Sequence, residues 1–263
     1  MVAFTGSVPA NYHRYLRDLF FLPYAQDLAT RLKIPEEGRL LEIACGTGIL
    51  TRTIAESFPR VTIVATDLNE AMIVEGRRQA DLPQVSWRQA DAMNLPFGGG
   101  EFDAVVCQFG LMFVPDKPAA LRECRRVLRP GGQLAFNVWD SLEQNDFSRT
   151  FNDFVQSKFP SDPPRFMEIP FSWHDRGEIE QLVRGSGFAD ISLIEVALPC
   201  SAATATDVAS GLALGTPMFD SIKERGVDAA SLVEEAAREL AASYGDHPIR
   251  GHMQAIVTTA VAS

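Results

Sequence analysis

The sequence predicts an α/β fold built around a parallel β-sheet, and three observations support this. Short apolar segments alternate with amphipathic ones from residue 38 to residue 139. A Gly46-Thr-Gly48 turn joins the first apolar segment to the first amphipathic one, and an aspartate ends each of the next two apolar segments. Parallel strands need a crossover connection, usually a helix, so this alternation is typical of βαβ units. At 263 residues, the chain has the length of one domain with accessory segments.

The five apolar segments of this core are the predicted strands. Each is apolar nearly throughout, as expected of strands that helices cover on both faces. Asn69 is a favourable N-cap for the second helix, and a run that contains Pro130 and two glycines should end the third. We expect strands at residues 40–45, 61–67, 85–90, 102–107 and 133–139, and helices at residues 48–58, 69–80 and 117–128.

The segments on either side of the core are predicted to be mainly helical. An amphipathic stretch interrupted by Pro23 predicts two short helices or one kinked helix. Residues 140–174 are rich in aromatic side chains, which indicates either the packing face of an extra helix or a lid over an apolar cavity, and we favour the lid. The last part is expected to contain a helix at 175–185, a strand at 189–196, two helices within 206–244 broken near Gly226, and a strand at 253–261.

These segments predict a single domain over residues 1–263 with four parts. A helical cover precedes a ligand-binding core, and the aromatic lid then leads into the second half of the sheet, which contains a helical insertion. The parts are residues 1–37, 38–139, 140–174 and 175–263, with the insertion at about 206–244.

Composition and charge narrow the class of partner. The chain has 24 Lys and Arg against 34 Asp and Glu, and the resulting net charge of −10 argues against nucleic acid as a partner. The four cysteines are far apart and form no C-x-x-C pair, so we expect reduced thiols and no metal site. Neither a long apolar run nor a signal-peptide pattern is present, which predicts a cytoplasmic protein without a membrane span. We expect a monomer or homodimer.

The Gly46-Thr-Gly48 turn is the first candidate for a ligand site. Glycine lets the backbone approach a ligand closely, and the helix that follows presents free N–H groups. A third glycine at position 51 would complete the fingerprint of dinucleotide-binding proteins, but Thr51 stands there. An NAD-type oxidoreductase is therefore an alternative that Thr51 disfavours.

Two aspartates extend this site. Asp67 closes the second predicted strand and Asp91 the third. Because ligands bind at the carboxyl ends of parallel strands, we expect both side chains to face one pocket. One carboxylate can accept from both hydroxyls of a ribose, and the other from an adenine amine. The spacing predicts a pocket for an adenosine without phosphate, since carboxylates repel a pyrophosphate.

Five ordered blocks of the sequence resemble those of the class I S-adenosylmethionine-dependent methyltransferases. The resemblance implies a Rossmann-like, seven-stranded and mostly parallel sheet of order 3-2-1-4-5-7-6, with strand 7 antiparallel and helices on both faces. It also implies S-adenosylmethionine as the cofactor. The blocks are LLEIACGTG at 40–48, VATDLNEAM at 64–72, QADAMNLPF at 89–97, FDAVVCQFGLMFVPD at 102–116 and ALRECRRVLRPGGQLAF at 120–136.

The resemblance implies roles for residues around the adenosine. Asp67 would bind the ribose, and Asp91 with the backbone of Ala92 and Met93 would bind the edge of the adenine. Two apolar side chains, Leu68 and Met72, would pack on the adenine ring.

The resemblance also implies which residues surround the methionine part of the cofactor. Ala44 and Gly46 would flank it, and Gln108 would face the transferred methyl group. The amino-terminal helix of such enzymes closes over the cofactor and supplies a tyrosine, for which Tyr12 is our choice and Tyr15 the alternative.

The acceptor side of the pocket is less defined by the sequence. Related enzymes often have glutamine where Phe109 and Met112 stand, so we expect a more apolar acceptor side here. Methyl transfer mainly requires alignment of the acceptor, the methyl group and the sulfur, and we assign no catalytic residue. We predict transfer of a methyl group to a small, partly apolar molecule, with a non-catalytic adenosyl-binding scaffold as a second alternative.

Overall fold

A computed structural model describes residues 4–79 and 81–263, and in these residues seven strands form a single sheet. The strand order is β3-β2-β1-β4-β5-β7-β6, in which β1 to β5 are parallel and β7 runs antiparallel between β5 and β6. This order confirms the predicted fold. The strands are β1 (Arg39–Glu42), β2 (Thr62–Asp67), β3 (Val85–Gln89), β4 (Phe102–Gln108), β5 (Leu128–Trp139), β6 (Phe188–Ala202) and β7 (Ile249–Ala262).

Helices connect the strands and extend the chain beyond the core. On the sheet, α2 packs against α3 and α5 packs against α7. The helices are α1 (Val8–Asn11), α2 (Leu22–Thr30), α3 (Ile49–Ser57), α4 (Glu70–Gln79), α5 (Lys117–Val127), α6 (Asp146–Lys158), α7 (Arg176–Gly185), α8 (Ala205–Leu214), α9 (Met218–Glu224) and α10 (Ala229–Tyr244).

The amino-terminal segment forms one continuous helix whose winding changes along its length. A π-helix at Tyr12–Phe21 joins α1 to α2, and at its end the amide of Leu22 donates to the carbonyl of Arg17, five residues earlier. Pro23 lies in the first turn of α2, where a missing N–H is tolerated. The expectation of one kinked helix is closest to this arrangement, and residues 1–3 of the predicted cover lie outside the described residues.

The sheet provides a crevice where its strand order reverses. The chain proceeds outward from β1 to β3 and then returns to the other side of β1 with β4. Loops that leave β1 and β4 therefore diverge, which makes the carboxyl ends of these two strands the expected ligand site. Within the described residues, no helix is both long and apolar enough to cross a membrane.

Two expectations about strands were wrong. β3 is not covered on both faces, since side chains such as Arg88 are exposed. The strand lies at the edge of the sheet. β6 and β7 are longer than the predicted ranges 189–196 and 253–261. β6 continues through Pro199 because it pairs only with β7, so a missing N–H on its free edge removes no ladder hydrogen bond.

Two expectations about helices also differ from the structure. Residues 206–244 hold parts of three helices, since Pro217 separates α8 from α9 in addition to the predicted break near Gly226. The helix predicted at 117–128 ends at Val127. Leu128 pairs with Phe102 of β4 and already belongs to β5. Pro130 and the two glycines form an irregularity in that strand rather than a turn before it. Ala80, the predicted end of α4, lies outside the described residues.

Candidate active site

A cavity of about 190 Å³ lies at the carboxyl ends of β1 to β5. Asp91 follows β3, Asp67 ends β2, Gly46 follows β1 and Gln108 ends β4, so these residues succeed one another in the order of the strands. Adjacent strands are about 4.8 Å apart, and the row from Asp91 to Gln108 therefore spans roughly 14 Å. All ten residues implied for the cofactor line the cavity: Tyr12, Ala44, Gly46, Asp67, Leu68, Met72, Asp91, Ala92, Met93 and Gln108.

Backbone donors hold the Asp67 side chain in place. Its Oδ2 accepts from the amide of Gly46 at 2.8 Å, and its Oδ1 accepts from the amide of Asn69 at 2.8 Å. Burial raises the pKa of Asp67, and the two backbone donors act in the opposite direction. Oδ1 also accepts a longer bond from Asn69 Nδ2 at 3.4 Å, whereas Oδ2 has a lone pair free for a ligand. The side chain is therefore a fixed, paired acceptor beside the cavity.

The backbone around the crevice adopts unusual conformations. Gly46 has a φ of +55°, and a side chain there would have only the Met72 methyl nearby, at 3.6 Å, so the turn leaves open space for a ligand. Ala44 after β1 and Phe109 after β4 also have positive φ, +52° and +51°. Such conformations are uncommon for residues with a Cβ and cluster at functional sites.

The β3 end of the cavity combines a polar turn with apolar side chains. Asp91 Oδ1 accepts from the amide of Met93 at 2.8 Å, which fixes the loop that follows the strand. Met72 is buried, whereas Leu68 is 37% exposed at the mouth. A flat ring could therefore lie between these two side chains with its edge toward Asp91.

The amino-terminal helix closes the cavity from above β1 and β4. Gln108 Nε2 donates to the carbonyl of Phe21 at 2.8 Å, and the Tyr12 ring stacks on the Phe21 ring with centroids 4.6 Å apart. Burial and the Asp67 carboxylate raise the pKa of Tyr12, so its hydroxyl stays protonated and can donate. Tyr12 lines the cavity, and Tyr15 does not.

The part of the cavity beyond Gln108, here called the acceptor chamber, has mainly apolar walls. The rings of Phe109 and Trp139 stack at 3.8 Å and 13°, and Phe20 contacts Trp139 edge-on. Phe109 and Met112 both line the chamber, in line with the expected apolar acceptor side. The apolar lining residues are Leu16, Phe20, Phe21, Phe109, Met112, Phe113, Trp139, Phe166, Met167, Pro170, Phe171 and Leu212.

The aromatic segment after β5 divides into two groups. Phe166 and Phe171 line the acceptor chamber, as a lid requires. Phe147, Phe151 and Trp173 are buried in the hydrophobic core instead. The alternative interpretation, packing of an extra helix, is therefore correct for α6, and a lid function stays a prediction for the residues near 166–171.

His13, in the amino-terminal helix, is not among the residues that line the cavity. Its Nδ1 lies 3.1 Å from Thr47 Oγ1 in the glycine turn. Burial, together with the charges of Arg52 and Arg17, lowers the pKa of His13 to about 4, so the ring is neutral at pH 7. The hydrogen bond gives His13 a role in supporting the turn.

Known proteins share both sequence and fold with this chain. The family profile described as "Methyltransferase domain" matches residues 40–132. The demethylmenaquinone methyltransferase of Corynebacterium urealyticum is 30% identical over 171 residues, which cover 61% of this chain and 72% of that protein. The chain belongs to the class I S-adenosylmethionine-dependent methyltransferases.

One further relative supports this membership of the methyltransferases, and a solved structure shows the shared fold. The ubiquinone/menaquinone biosynthesis C-methyltransferase of Paracoccus denitrificans is 40% identical over 105 residues, which cover 38% of this chain and 42% of that protein. The crystal structure of the YcgJ protein from Bacillus subtilis superposes with a TM-score of 0.59 at 18% identity, covering 91% of this chain and 98% of that chain. The chain is thus an S-adenosylmethionine-dependent enzyme for a small, partly apolar acceptor, and nothing in these similarities supports the oxidoreductase or scaffold alternatives.

The residues around the cavity fit this methyltransferase cofactor. Asp67 is a fixed paired acceptor suited to two ribose hydroxyls, and the open space at Gly46 admits a chain beside the backbone. Thr51 shows why a dinucleotide fits less well. It is fully buried and its Oγ1 donates to Glu42 Oε2 at 2.5 Å, so its side chain fills the place where the third glycine of the dinucleotide fingerprint would let the helix pack closely on the strand.

Glu42 is a residue of this methyltransferase site that the sequence reasoning did not assign. It lies in β1, is 1% exposed, and lines a small recess that shares Tyr12, Ala44 and Gly46 with the main cavity. Burial raises the pKa of Glu42 to about 8, against the smaller effect of the Thr51 hydrogen bond. A single acid within an otherwise apolar strand was the available signal, because a buried carboxyl needs a partner or a function.

The pKa of Glu42 predicts a pH dependence of stability without cofactor. In the unfolded chain the carboxyl ionises near its ordinary pKa of 4.5, whereas in the folded protein it stays protonated up to about pH 8. The stabilisation is therefore complete below pH 4.5 and is lost as pH rises toward 8. Glu42→Gln keeps a neutral side chain, so we expect its free energy of unfolding to fall less than that of the wild type between pH 5 and pH 8.5, as measured by urea denaturation.

Glu239→Gln is the matched control, because Glu239 is exposed on α10. Its unfolding free energy should follow that of the wild type at each pH. Parallel pH profiles for Glu42→Gln and the wild type would show that Glu42 is ionised in the folded protein.

Proposed function

We propose that this enzyme methylates an aromatic ring compound of the phenol or hydroquinone class. The observation that carries the proposal is the aromatic wall of the acceptor chamber. Phe109 and Trp139 stack in parallel at 3.8 Å directly beyond Gln108, and Phe171 contacts Trp139 at a centroid distance of 6.3 Å. Aromatic side chains bind flat apolar rings by offset and edge-to-face contacts.

The names of the relatives support a ring acceptor. The Corynebacterium protein is named a demethylmenaquinone methyltransferase, and the Paracoccus protein a C-methyltransferase of ubiquinone and menaquinone biosynthesis. We extend to this chain only the chemistry that the chamber supports, which is a flat apolar ring with oxygen substituents. Carbon next to a phenolic hydroxyl is the position that we propose to be methylated.

We propose that the cofactor lies along the row of strand ends, with its adenine toward β3 and its methyl group toward β4. Asp67 would accept from both ribose hydroxyls, and Asp91 with the following loop would bind the adenine edge. Leu68 and Met72 would pack on the adenine, and the backbone at Ala92 and Met93 would contact its edge.

The methionine part would lie in the crevice between β1 and β4. Ala44 and Gly46 would flank it, and Glu42 would neutralise its ammonium group. Tyr12 would donate a hydrogen bond from above, and Gln108 would separate this part from the acceptor chamber. The pairing of the ammonium with Glu42 would favour the ionised carboxyl in the complex.

The chain's own residues contribute binding, alignment and exclusion of water. When bound, S-adenosylmethionine supplies a methyl group whose bond to sulfur breaks as the acceptor carbon bonds to it; the bonding pair stays on sulfur, and the ring proton leaves to water. Phe109 and Trp139 hold the ring against the end of β4, which fixes the line of attack. Phe166 and Phe171 line the chamber and shield the sulfur from bulk water, while the ring proton is lost at the open side of the cavity.

Four further properties belong to this proposal. We infer that the acceptor is a small molecule. We infer that nucleic acid is not a partner, since the net charge of −10 repels polyanions. We also infer a cytoplasmic location and a monomer or homodimer. Sedimentation of the purified chain tests the last point.

A screen for S-adenosylhomocysteine formation tests the proposed function. With 1,4-naphthalenediol or 1-naphthol under anaerobic reducing conditions, we expect product methylated on ring carbon, identified by mass spectrometry and NMR. Primary amines and fatty acids should give none. Turnover of only those non-aromatic acceptors would contradict the proposal.

A variant of the chamber wall adds a quantitative prediction. Phe171→Ala removes an apolar face next to Trp139, so we expect kcat/KM for the naphthalene acceptor to fall about tenfold, while the Kd for S-adenosylmethionine changes less than twofold. Phe159→Ala, in the same segment but outside the cavity, is the control and should retain activity. An equal loss in both variants would mean that the segment acts through stability and not through the chamber.

A further inference from the structure

Ser148 is a polar residue of the acceptor chamber whose side chain makes no hydrogen bond to the described residues. It lies in α6, is 7% exposed and lines the cavity. The other hydroxyls of α6 are bonded: Thr150 Oγ1 lies 2.9 Å from the Tyr244 hydroxyl, and Ser157 Oγ donates to the carbonyl of Phe154 at 2.8 Å. Within the described residues, Ser148 Oγ is not one of the fully enclosed side-chain atoms that lack a partner, so it is reachable from the cavity. A hydroxyl exposed to a cavity can bond to a ligand that enters it.

Two other polar side chains of the chamber already make hydrogen bonds. Thr216 Oγ1 donates to the carbonyl of Leu212 at 2.7 Å and accepts from the amide of Met218 at 3.2 Å. Gln108 Nε2 donates to the carbonyl of Phe21. Ser148 differs from both, because its hydroxyl makes no such bond and can both donate to and accept from a ligand. The indole N–H of Trp139, which also lines the chamber, can only donate.

The position of Ser148 is fixed by its neighbours on the same helix. Phe147 and Phe151 are 1% and 0% exposed and anchor α6 in the hydrophobic core. The Phe147 ring also lies where a Cβ on Gly251 of β7 would stand, which shows how closely α6 packs on that strand. Since α6 is anchored on β7, Ser148 belongs to the side of the cavity beyond β5, away from the row of aspartates at β2 and β3.

We propose that Ser148 is the residue that orients the acceptor, by a hydrogen bond to a ring oxygen on the side of the ring remote from the methylated carbon. This inference rests on the proposed function, because it takes the ring held by Phe109 and Trp139 as the acceptor. The substrate class is thereby narrowed to aromatic compounds with two oxygens across the ring. One oxygen activates the adjacent carbon toward the cofactor, and the other binds Ser148.

The test compares two acceptors that differ only in the second oxygen. For 1,4-naphthalenediol, we expect Ser148→Ala to lower kcat/KM about tenfold, the effect of one buried hydrogen bond. For 1-naphthol, which lacks the second oxygen, the wild type and Ser148→Ala should agree within twofold. Because the diol oxidises readily, both series are run anaerobically with the full chain and saturating S-adenosylmethionine.

Controls separate this role from stability and from cofactor binding. Ser157→Ala, on the same helix but exposed, should match the wild type with both acceptors. The Kd for S-adenosylmethionine, measured by calorimetry, should be unchanged in Ser148→Ala. Equal losses with both acceptors, or no loss with either, would overturn the role of Ser148.

A binding measurement distinguishes the failure of this inference from failure of the proposed function. Calorimetry with 1,4-naphthalenediol and 1-naphthol in the presence of S-adenosylhomocysteine reports recognition without turnover. We expect the wild type to bind the diol more tightly than 1-naphthol, and Ser148→Ala to bind the two equally. Absence of product from every phenol tested would reject the proposed function, whereas equal affinities of the wild type for both ligands would reject the role of Ser148.

Discussion

Replacement of Asp67 by asparagine is expected to weaken binding of S-adenosylmethionine by roughly 150-fold. The two carboxylate oxygens accept from the amides of Gly46 and Asn69, and Oδ1 also accepts from Asn69 Nδ2 at 3.4 Å, which leaves Oδ2 with a free lone pair for a ribose hydroxyl. An asparagine amide must present an NH2 group to one of these backbone donors, which turns an attraction into a repulsion. Loss of charge-assisted bonds to the ribose adds to this, for a total of about 3 kcal/mol.

Calorimetry with S-adenosylmethionine and S-adenosylhomocysteine measures this effect. Asp91→Asn should weaken binding less, about tenfold, because Asp91 would make a single bond to the adenine. Asp153→Asn is the control, since Asp153 is exposed on α6, and it should bind like the wild type. If Asp67→Asn bound the cofactor with unchanged affinity, the ribose would have to lie elsewhere.

The second large effect is expected at two glycines that contact Trp87. A Cβ on Gly48 would lie 2.4 Å from Trp87 Cη2, and a Cβ on Gly76 would lie 2.9 Å from Trp87 Cζ3. Gly48 also has a φ of +72°, whereas Gly76 lies within α4. We therefore expect Gly48→Ala to lower the free energy of unfolding by about 3 kcal/mol, from overpacking and backbone strain together. Gly76→Ala should cost about 1 kcal/mol, because higher helix propensity offsets part of the clash.

The background variant Trp87→Leu separates the two causes. Leucine lacks the indole ring atoms that contact both glycines, so the clash with Trp87 should be absent, and a Cβ on Gly76 would then have the Thr47 carbonyl carbon as its close neighbour, at 3.3 Å. In this background, Gly76→Ala is expected to become stabilising by up to about 1 kcal/mol, because alanine is the better helix former. Gly48→Ala should still destabilise by about 1–2 kcal/mol, because the positive φ remains. Urea denaturation of the six proteins measures these changes, and equal effects in both backgrounds would show that Trp87 does not limit either position.

The sequence alone was sufficient for the sheet and for the cofactor side of the site. Alternating apolar and amphipathic segments record which residues of each element are buried, and this periodicity is local. Glycine at a turn and aspartate at a strand end are also local features, and the geometry of a parallel sheet brings all strand ends to one rim. Gly46, Asp67 and Asp91 could therefore be placed at one site from their positions in the chain, and the structure has all three around one cavity.

Lengths and breaks of elements depended on contacts that the sequence does not display. The predicted strand at 189–196 stopped before Pro199, but β6 is an edge strand with a free side, and the strand continues through this proline. β3 was predicted to be buried on both faces, but it lies at the edge of the sheet formed by the described residues, and most of its side chains are exposed. In both cases the position of the strand in the sheet decided the outcome.

The acceptor side was decided only by tertiary structure. Trp139, Phe171, Leu212 and the pair Leu16 and Phe20 of the amino-terminal helix are far apart in the chain, and they meet around the chamber because three separate segments pack over the end of β5. An aromatic residue has the same local signature whether it fills the core, as Phe151 does, or lines a cavity. The sequence determined the α/β core and the rim that we propose binds the cofactor, because those follow from periodicity and from the strand ends of a parallel sheet. The strand order and the cofactor followed from the resemblance to the family. Which ring the chamber accepts, and which hydroxyl is left to orient it, follows from side chains that only packing brings together.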